Sequence, residues 1–247
     1  MSRLLKAELI KLRTTRTFFA LAGAAIGISL LITILIAATE ETTKDAVLAD
    51  VFQNDASTLF IMILAIVGIT GEWRHRTITS SLLAAPDRIR FLAAKTLAFA
   101  AAGALLSLVV SIAIGIVGYA ILEFRDQPTP ALGDVLELVA RNAGAAALLG
   151  AFGVGVGGLI RNQPTAIVAI LVFAFVVDPL LAAFTPDIDR YSPVGALPSA
   201  IQGVDPDDVG SPEVDFFAVL PALALMLVWI AALFAAGGAL LRARDVE

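Results

Sequence analysis

The chain contains no cysteine and a single histidine, His75, among its 247 residues. The first absence excludes a disulfide framework, thiolate chemistry and thiol-ligated metals, and the second excludes a cluster of imidazole ligands, so no metal site is expected. Charge is scarce as well: 16% of the residues are Asp, Glu, Lys or Arg, against about a quarter in a soluble domain. Neither G-x-x-x-x-G-K-[ST] nor G-x-S-x-G occurs, so the chain carries no P-loop for ATP and no nucleophile elbow. What it does carry is 59% apolar residues and a mean hydropathy of +0.90. One water-surrounded core in so short a chain cannot bury that much apolar surface, so the solvent for it is lipid. At about 20 residues per crossing the apolar residues suffice for about six or seven spans, with little left for a separate soluble domain.

Six spans are predicted: Thr17 to Ala38, Phe52 to Gly71 with a polar beginning (Gln53, Asn54, Asp55), about Thr96 to Ile121, Asn142 to Ile160, Thr165 to Phe184, and Phe216 to Leu241. The first is too long for the hydrophobic region of a signal peptide, about 7–15 residues, and reads as an uncleaved helix. Of the seventeen Lys and Arg residues, thirteen fall on one side of this arrangement: five in the N-terminal segment, five between spans two and three, Arg161, and Arg242 with Arg244. The positive-inside rule then places both termini in the cytoplasm. The net charge of −5 identifies no partner, because the charges are sorted by membrane side, and no nucleic-acid partner is expected.

Met1 to Arg16 can form an amphipathic helix, with Leu4, Leu5, Leu9 and Leu12 within roughly 140° of arc. It is expected to lie on the inner leaflet. The connection from Gly71 to Arg90 is longer than a turn. Ile78, Leu82 and Ala85 repeat at i, i+4 and i+7, Pro86 stops that short helix, and Asp87 is placed to cap the next one. A short helix parallel to the membrane results, flanked by Glu72, Arg74, Arg76, Arg88 and Arg90. It reads either as a docking surface for a soluble partner or as a basic loop on anionic lipid head groups.

The stretch Ile69-Thr-Gly-Glu-Trp-Arg-His-Arg-Thr-Ile-Thr-Ser-Ser-Leu-Leu-Ala-Ala-Pro-Asp-Arg88, with Lys95 beyond it, resembles the connection after the second span in ABC-2 type transporter permeases. Glu8-Leu-Ile-Lys-Leu-Arg-Thr-Thr-Arg16 and Gly158-Leu-Ile-Arg-Asn-Gln-Pro-Thr165 are also similar to that family, so the resemblance covers nearly the whole chain. It implies that Thr77 to Ala85 is a coupling helix seated in a groove on a separate ATPase subunit, with Glu72, Arg76, Thr77, Ile78, Leu82, Leu83, Pro86 and Arg88 forming the coupling segment. It further implies that the N-terminal helix, through Leu5, Leu9 and Leu12, is the interfacial connecting helix. Arg76 stands where the family commonly has glycine.

Gly153-Val-Gly-Val-Gly-Gly158 satisfies G-x-G-x-x-G but sits in an apolar span with no strand before it, so close helix packing is the better reading. The same holds for Gly23-x-x-x-Gly27. Asp178 is the one ionisable residue well inside a predicted span and is a candidate pathway residue, followed at once by Pro179. Glu137 and Arg141 are spaced for an ion pair, and Asp205 to Ser211 lacks the spacing of a calcium loop. Between spans five and six, Val194 to Ile201 is apolar enough to touch the outer leaflet or cap a vestibule, which predicts a partly ordered lid.

The expectation is therefore an all-α protein of six transmembrane helices in the plasma membrane of a prokaryote. Its expected role is the non-catalytic permease subunit of an ATP-driven transporter, most consistent with export. It would work with a second permease, as a homodimer, on ATPase subunits that hold the ATP and Mg. A proton-coupled secondary transporter using Asp178 and a non-transporting regulatory or immunity protein are the alternatives.

Overall fold

The computed structural model of the chain describes residues 2–79, 87–207 and 213–243. Among them every regular element is helical, and six helices are long and apolar enough to cross a membrane. The protein is thus an all-α, multi-pass membrane protein, as a chain must be that satisfies its backbone polar groups inside lipid without a closed barrel.

Helix α1 (Ser2–Thr14) is separated by Thr15 from the first span, α2 (Arg16–Thr39). The chain then makes a π-helical turn at Leu48–Phe52 and an irregular stretch before α3 (Ser57–Arg74). The span expected from Phe52 to Gly71 falls within the apolar segment Leu48–Arg74, whose regular α-helix begins at Ser57. Helix α4 (Arg88–Phe124) has 37 residues, about 55 Å at 1.5 Å per residue, and so projects beyond a hydrocarbon core of about 30 Å. Its start is set as expected: the Asp87 carboxylate accepts from the amides of Ile89 and Arg90, both at 3.1 Å. Helix α5 (Leu132–Ile160) extends ten residues ahead of its apolar run, through the Glu137–Arg141 ion pair.

The fifth span runs continuously from Gln163 to Phe184 but changes winding along its length, from α6 (Gln163–Val172) through a π turn at Phe173–Val177 to α7 (Asp178–Phe184). Pro179 in the first turn of α7 supplies the cause, since it has no N–H for the ladder. Two short helices follow, α8 (Pro186–Asp189) and α9 (Ala196–Gln202), before the last span, α10 (Val219–Ala243). Two ends can be distinguished: a terminal face with α1, residues 75–79 and the end of α10, and an opposite face with residues 40–47, 125–131, 185–207 and 213–218.

The core forms where α5 lies along α3 and α4. Small residues permit this. A Cβ built on Gly103 would come within 2.8 Å of the Ala146 carbonyl carbon, and one on Gly150 within 2.9 Å of that of Phe99, closer still to the oxygens. The glycine run of α5 serves the same end, Gly153 lying on the Met62 backbone and Gly157 on Ile66 and Ile69, so helix packing accounts for it. Gly23 and Gly27 have nothing within 4 Å and make no close approach inside the chain.

The segment expected as a lid is part of the core. Leu197, Ala200 and Ile201 of α9 are buried against Met62, Ile66, Ala145, Leu149 and Met226. Their i, i+3, i+4 spacing gives the short helix one apolar face, which the bundle covers.

Candidate functional site

On the terminal face, α1, α3 and α4 converge on four charged side chains. Lys95, near the start of α4, is 2% exposed, and its ammonium donates to Glu8 Oε2 at 2.7 Å, Glu72 Oε1 at 3.2 Å and the Gly68 carbonyl at 3.3 Å. Lys11 donates to Glu8 Oε1 at 2.9 Å and to Glu72 Oε1 at 3.0 Å. Two acids and two bases balance, which permits the burial, since an unpaired charge here would pay its full desolvation cost. Burial works against the charge of Lys11, but the hydrogen bonds and charges of Glu8 and Glu72 outweigh it and hold its ammonium above the usual lysine value.

The start of the connection after α3, residues 75–79, is tied to this cluster by backbone and side chain. Helix α3 ends in a Schellman turn, with the amides of Arg76 and Thr77 donating to the carbonyls of Trp73 (3.1 Å) and Glu72 (2.9 Å). The turn returns Thr77 over Glu72, where its hydroxyl donates to Glu72 Oε2 at 2.7 Å. Arg76 occupies the C′ position with φ 56°, where an L-residue is strained by about 1–2 kcal/mol and glycine is not. Because its side chain is exposed, Arg76→Gly should stabilise the protein by about 1 kcal/mol, net of the extra freedom of glycine in the unfolded chain. The heat-inactivation midpoint should rise by about 2–4 °C; a fall would show that the arginine side chain contributes more than its backbone costs.

The expected coupling residues divide three ways. Arg76 and Thr77 are exposed and Arg88 is half-buried. Glu72 and Ile78 face inward, 6% and 3% exposed, Ile78 within the chain's own core. The ridge expected along Ile78, Leu82 and Ala85 is therefore covered by the protein itself at its first residue. Leu82, Leu83 and Pro86 lie outside the described residues. In α1, Leu5 packs against the core and Leu12 is buried, while Leu9 is 39% exposed. Glu8 takes the inward place instead. At about 100° per residue it falls roughly 40° from Leu4 on the same face, a polar residue amid an apolar arc, which was the legible sign of a buried partner.

A second buried polar group lies at the entry to α3, where the sequence shows only the polar edge of a span. Asp55, 7% exposed at the entry to α3, accepts from the Ser57 amide at 2.8 Å and from the hydroxyls of Ser107 (2.5 Å) and Ser111 (3.1 Å) of α4. Asn142 of α5 donates to Ser111 Oγ at 3.4 Å and accepts from Gln202 Nε2 at 3.1 Å, so a polar file links Asp55 to the opposite face. Asp178, at the junction of the π turn with α7, receives the Ser192 hydroxyl. Among the described residues no three His, Cys, Asp or Glu side chains are grouped to hold a metal ion.

A scan against models of known protein families finds no match, and a comparison with curated protein sequences finds none either.

Proposed function

We propose that this chain is the membrane-spanning subunit of an ATP-driven transporter of the ABC-2 type, an exporter acting with a second permease and with separate ATPase subunits on the cytoplasmic side. The observation that carries the reading is the charge cluster. Thr77, Glu72, Lys95, Glu8 and Lys11 make one hydrogen-bonded unit of the start of the 75–87 connection, the end of α3, the start of α4 and the N-terminal helix. A push on the connection is then shared by two spans and the interfacial helix at once, which is what a device that transmits nucleotide-driven motion requires. The resemblance of residues 69–88 to a coupling segment points the same way. The side chains offered outward, Arg74, His75, Arg76 and Thr79, are polar. The inward Ile78 serves as the anchor of the segment, and contact with the ATPase falls to residues beyond it.

Leu82→Asp tests this. A buried leucine contributes roughly 1.5–3 kcal/mol, and a buried unpaired carboxylate adds its desolvation, so assembly should weaken by at least about tenfold. Arg90→Glu, at an exposed position already engaged with Asp87, should have a smaller, salt-dependent effect. Co-purification of an ATPase with the tagged chain from its own membrane is the measurement. Full assembly and transport by Leu82→Asp would sink the mechanism. The intramembrane carboxylates Asp55 and Asp178 favour one second reading, proton-coupled transport without an ATPase. That reading expects Asp178→Asn to abolish transport while Leu82→Asp is nearly silent.

A further inference from the structure

The part of the chain between α7 and α10 carries a different feature. A cavity of about 360 Å³ lies between α5, α6, α10 and the turn from Ile188 to Val194, within the size range of small-molecule sites, about 300–1,000 Å³. Phe152, Phe173, Tyr191 and Trp229 give it an aromatic wall, and Ser192 is its polar point. The Trp229 indole donates to the Tyr191 carbonyl at 3.1 Å, fixing the turn against the last span.

Ser192 joins this cavity to the carboxylate of Asp178 and to the backbone of Asp189. Its hydroxyl donates to Asp178 Oδ1, and its amide donates to the Asp189 carbonyl at 2.7 Å. A Cβ on Gly195 would overlap Asp178 Oδ2, so the turn closes directly on that carboxylate. Asp189 is 2% exposed, and its Oδ1 has no hydrogen-bond partner, an arrangement that costs free energy unless something positive satisfies it. The nearest base in sequence, Arg190, makes no ion pair with Asp189: its Nη2 pairs with Asp215 at 3.4 Å, its guanidinium lies 4.1 Å over the Phe217 ring, and its buried Nε has no hydrogen-bond partner. Asp187, on the same short helix as Asp189, adds only negative charge. Burial and the charge of Asp178 push Asp189 up to about 6. Two carboxylates without a basic partner among the described residues, beside an aromatic cavity, complement a positively charged ligand with an apolar body.

We propose that this cavity binds an amphipathic organic cation, its apolar body against Phe152, Phe173, Tyr191 and Trp229 and its charged head at the Ser192 turn beside Asp178 and Asp189. As the cargo class of a transporter the assignment rests on the function proposed above, but the binding itself requires no ATPase.

The test uses the purified full chain in lipid nanodiscs, titrated with tetraphenylphosphonium and with tetraphenylborate, an anion of the same shape. Fluorescence of Trp229 in a Trp73→Phe background is the readout. The cation should quench it saturably, and the anion should bind at least about tenfold more weakly. Asp178→Asn and Asp189→Asn should each weaken cation binding by about tenfold, and Ile170→Phe, which narrows the cavity without adding a second tryptophan, should weaken it at least as much. Lowering the pH from about 7.5 to 5 protonates Asp189 and should weaken binding to the wild type, an effect that shrinks in Asp189→Asn. Asp189→Asn keeps the test decisive if Asp178→Asn, which disturbs the Ser192 contact, fails to fold. Equal binding of the two ions, as a lipid-chain groove would give, overturns the proposal. So does unchanged binding in the aspartate variants. Loss of ATPase co-purification would count against the transporter reading alone.

Discussion

Replacing Lys95 with methionine should lower the stability of the protein by about 3–5 kcal/mol, the cost of breaking a buried ion pair by removing one partner. Methionine keeps the length and apolar stem of the side chain, so the loss is electrostatic. Glu8 and Glu72, 6% exposed each, would keep Lys11 but lose the more deeply buried of the two ammonium groups they share, and the Gly68 carbonyl would lose its donor. The double variant Lys95→Met/Glu72→Gln restores the balance by leaving the Glu8–Lys11 pair, and should be more stable than Lys95→Met alone. Fractions surviving gel filtration after heating give the measurement. At about 2–4 °C per kcal/mol for a chain of this size, the single variant should melt about 6–20 °C lower. A midpoint within about 2 °C of wild type would mean that the cluster does not hold the three helices together, and would remove the observation on which the proposed function rests.

Gly103→Val and Gly150→Val should each cost about 3 kcal/mol, the upper part of the range for overpacking. At both positions the obstacle is backbone of the facing helix, the Ala146 carbonyl for one and the Phe99 carbonyl for the other. No rotamer change relieves such a clash, so α4 and α5 must separate, and the buried contacts along their whole crossing loosen with them. Gly115→Val is the matched control, since that glycine has nothing within 4 Å and lies in the same helix as Gly103. It should be neutral or slightly stabilising, valine being the better helix former. If Gly103→Val survived heating as well as Gly115→Val, the close approach of the two helices would be disproved.

Several features were legible in the amino-acid order because they depend on near neighbours. Six apolar runs of spanning length became six spanning helices, Asp87 capped α4, and Glu137 paired with Arg141 one turn away. Each follows from a local rule, of hydropathy, capping or helical spacing, that needs no knowledge of the rest of the chain. Asp178 was conspicuous for the same reason, as a charge within an apolar run. Asp55 was not, because Gln53 and Asn54 beside it made the stretch look like the edge of a span.

What the tertiary structure alone decided is which side chains meet. Lys95 finds Glu8 across 87 residues of chain, and Lys11 finds Glu72 across 61. The rotation of each helix about its axis, set by glycine contacts such as Gly103 on Ala146, chooses those partners, and it turned Ile78 inward where its spacing suggested an outward ridge. The apolar segment from Val194 became core for the same reason. Hydropathy states that such a face will be covered, but lipid, a partner and the rest of the bundle cover it equally well. Only the packing of α9 against α3, α5 and α10 selects among them.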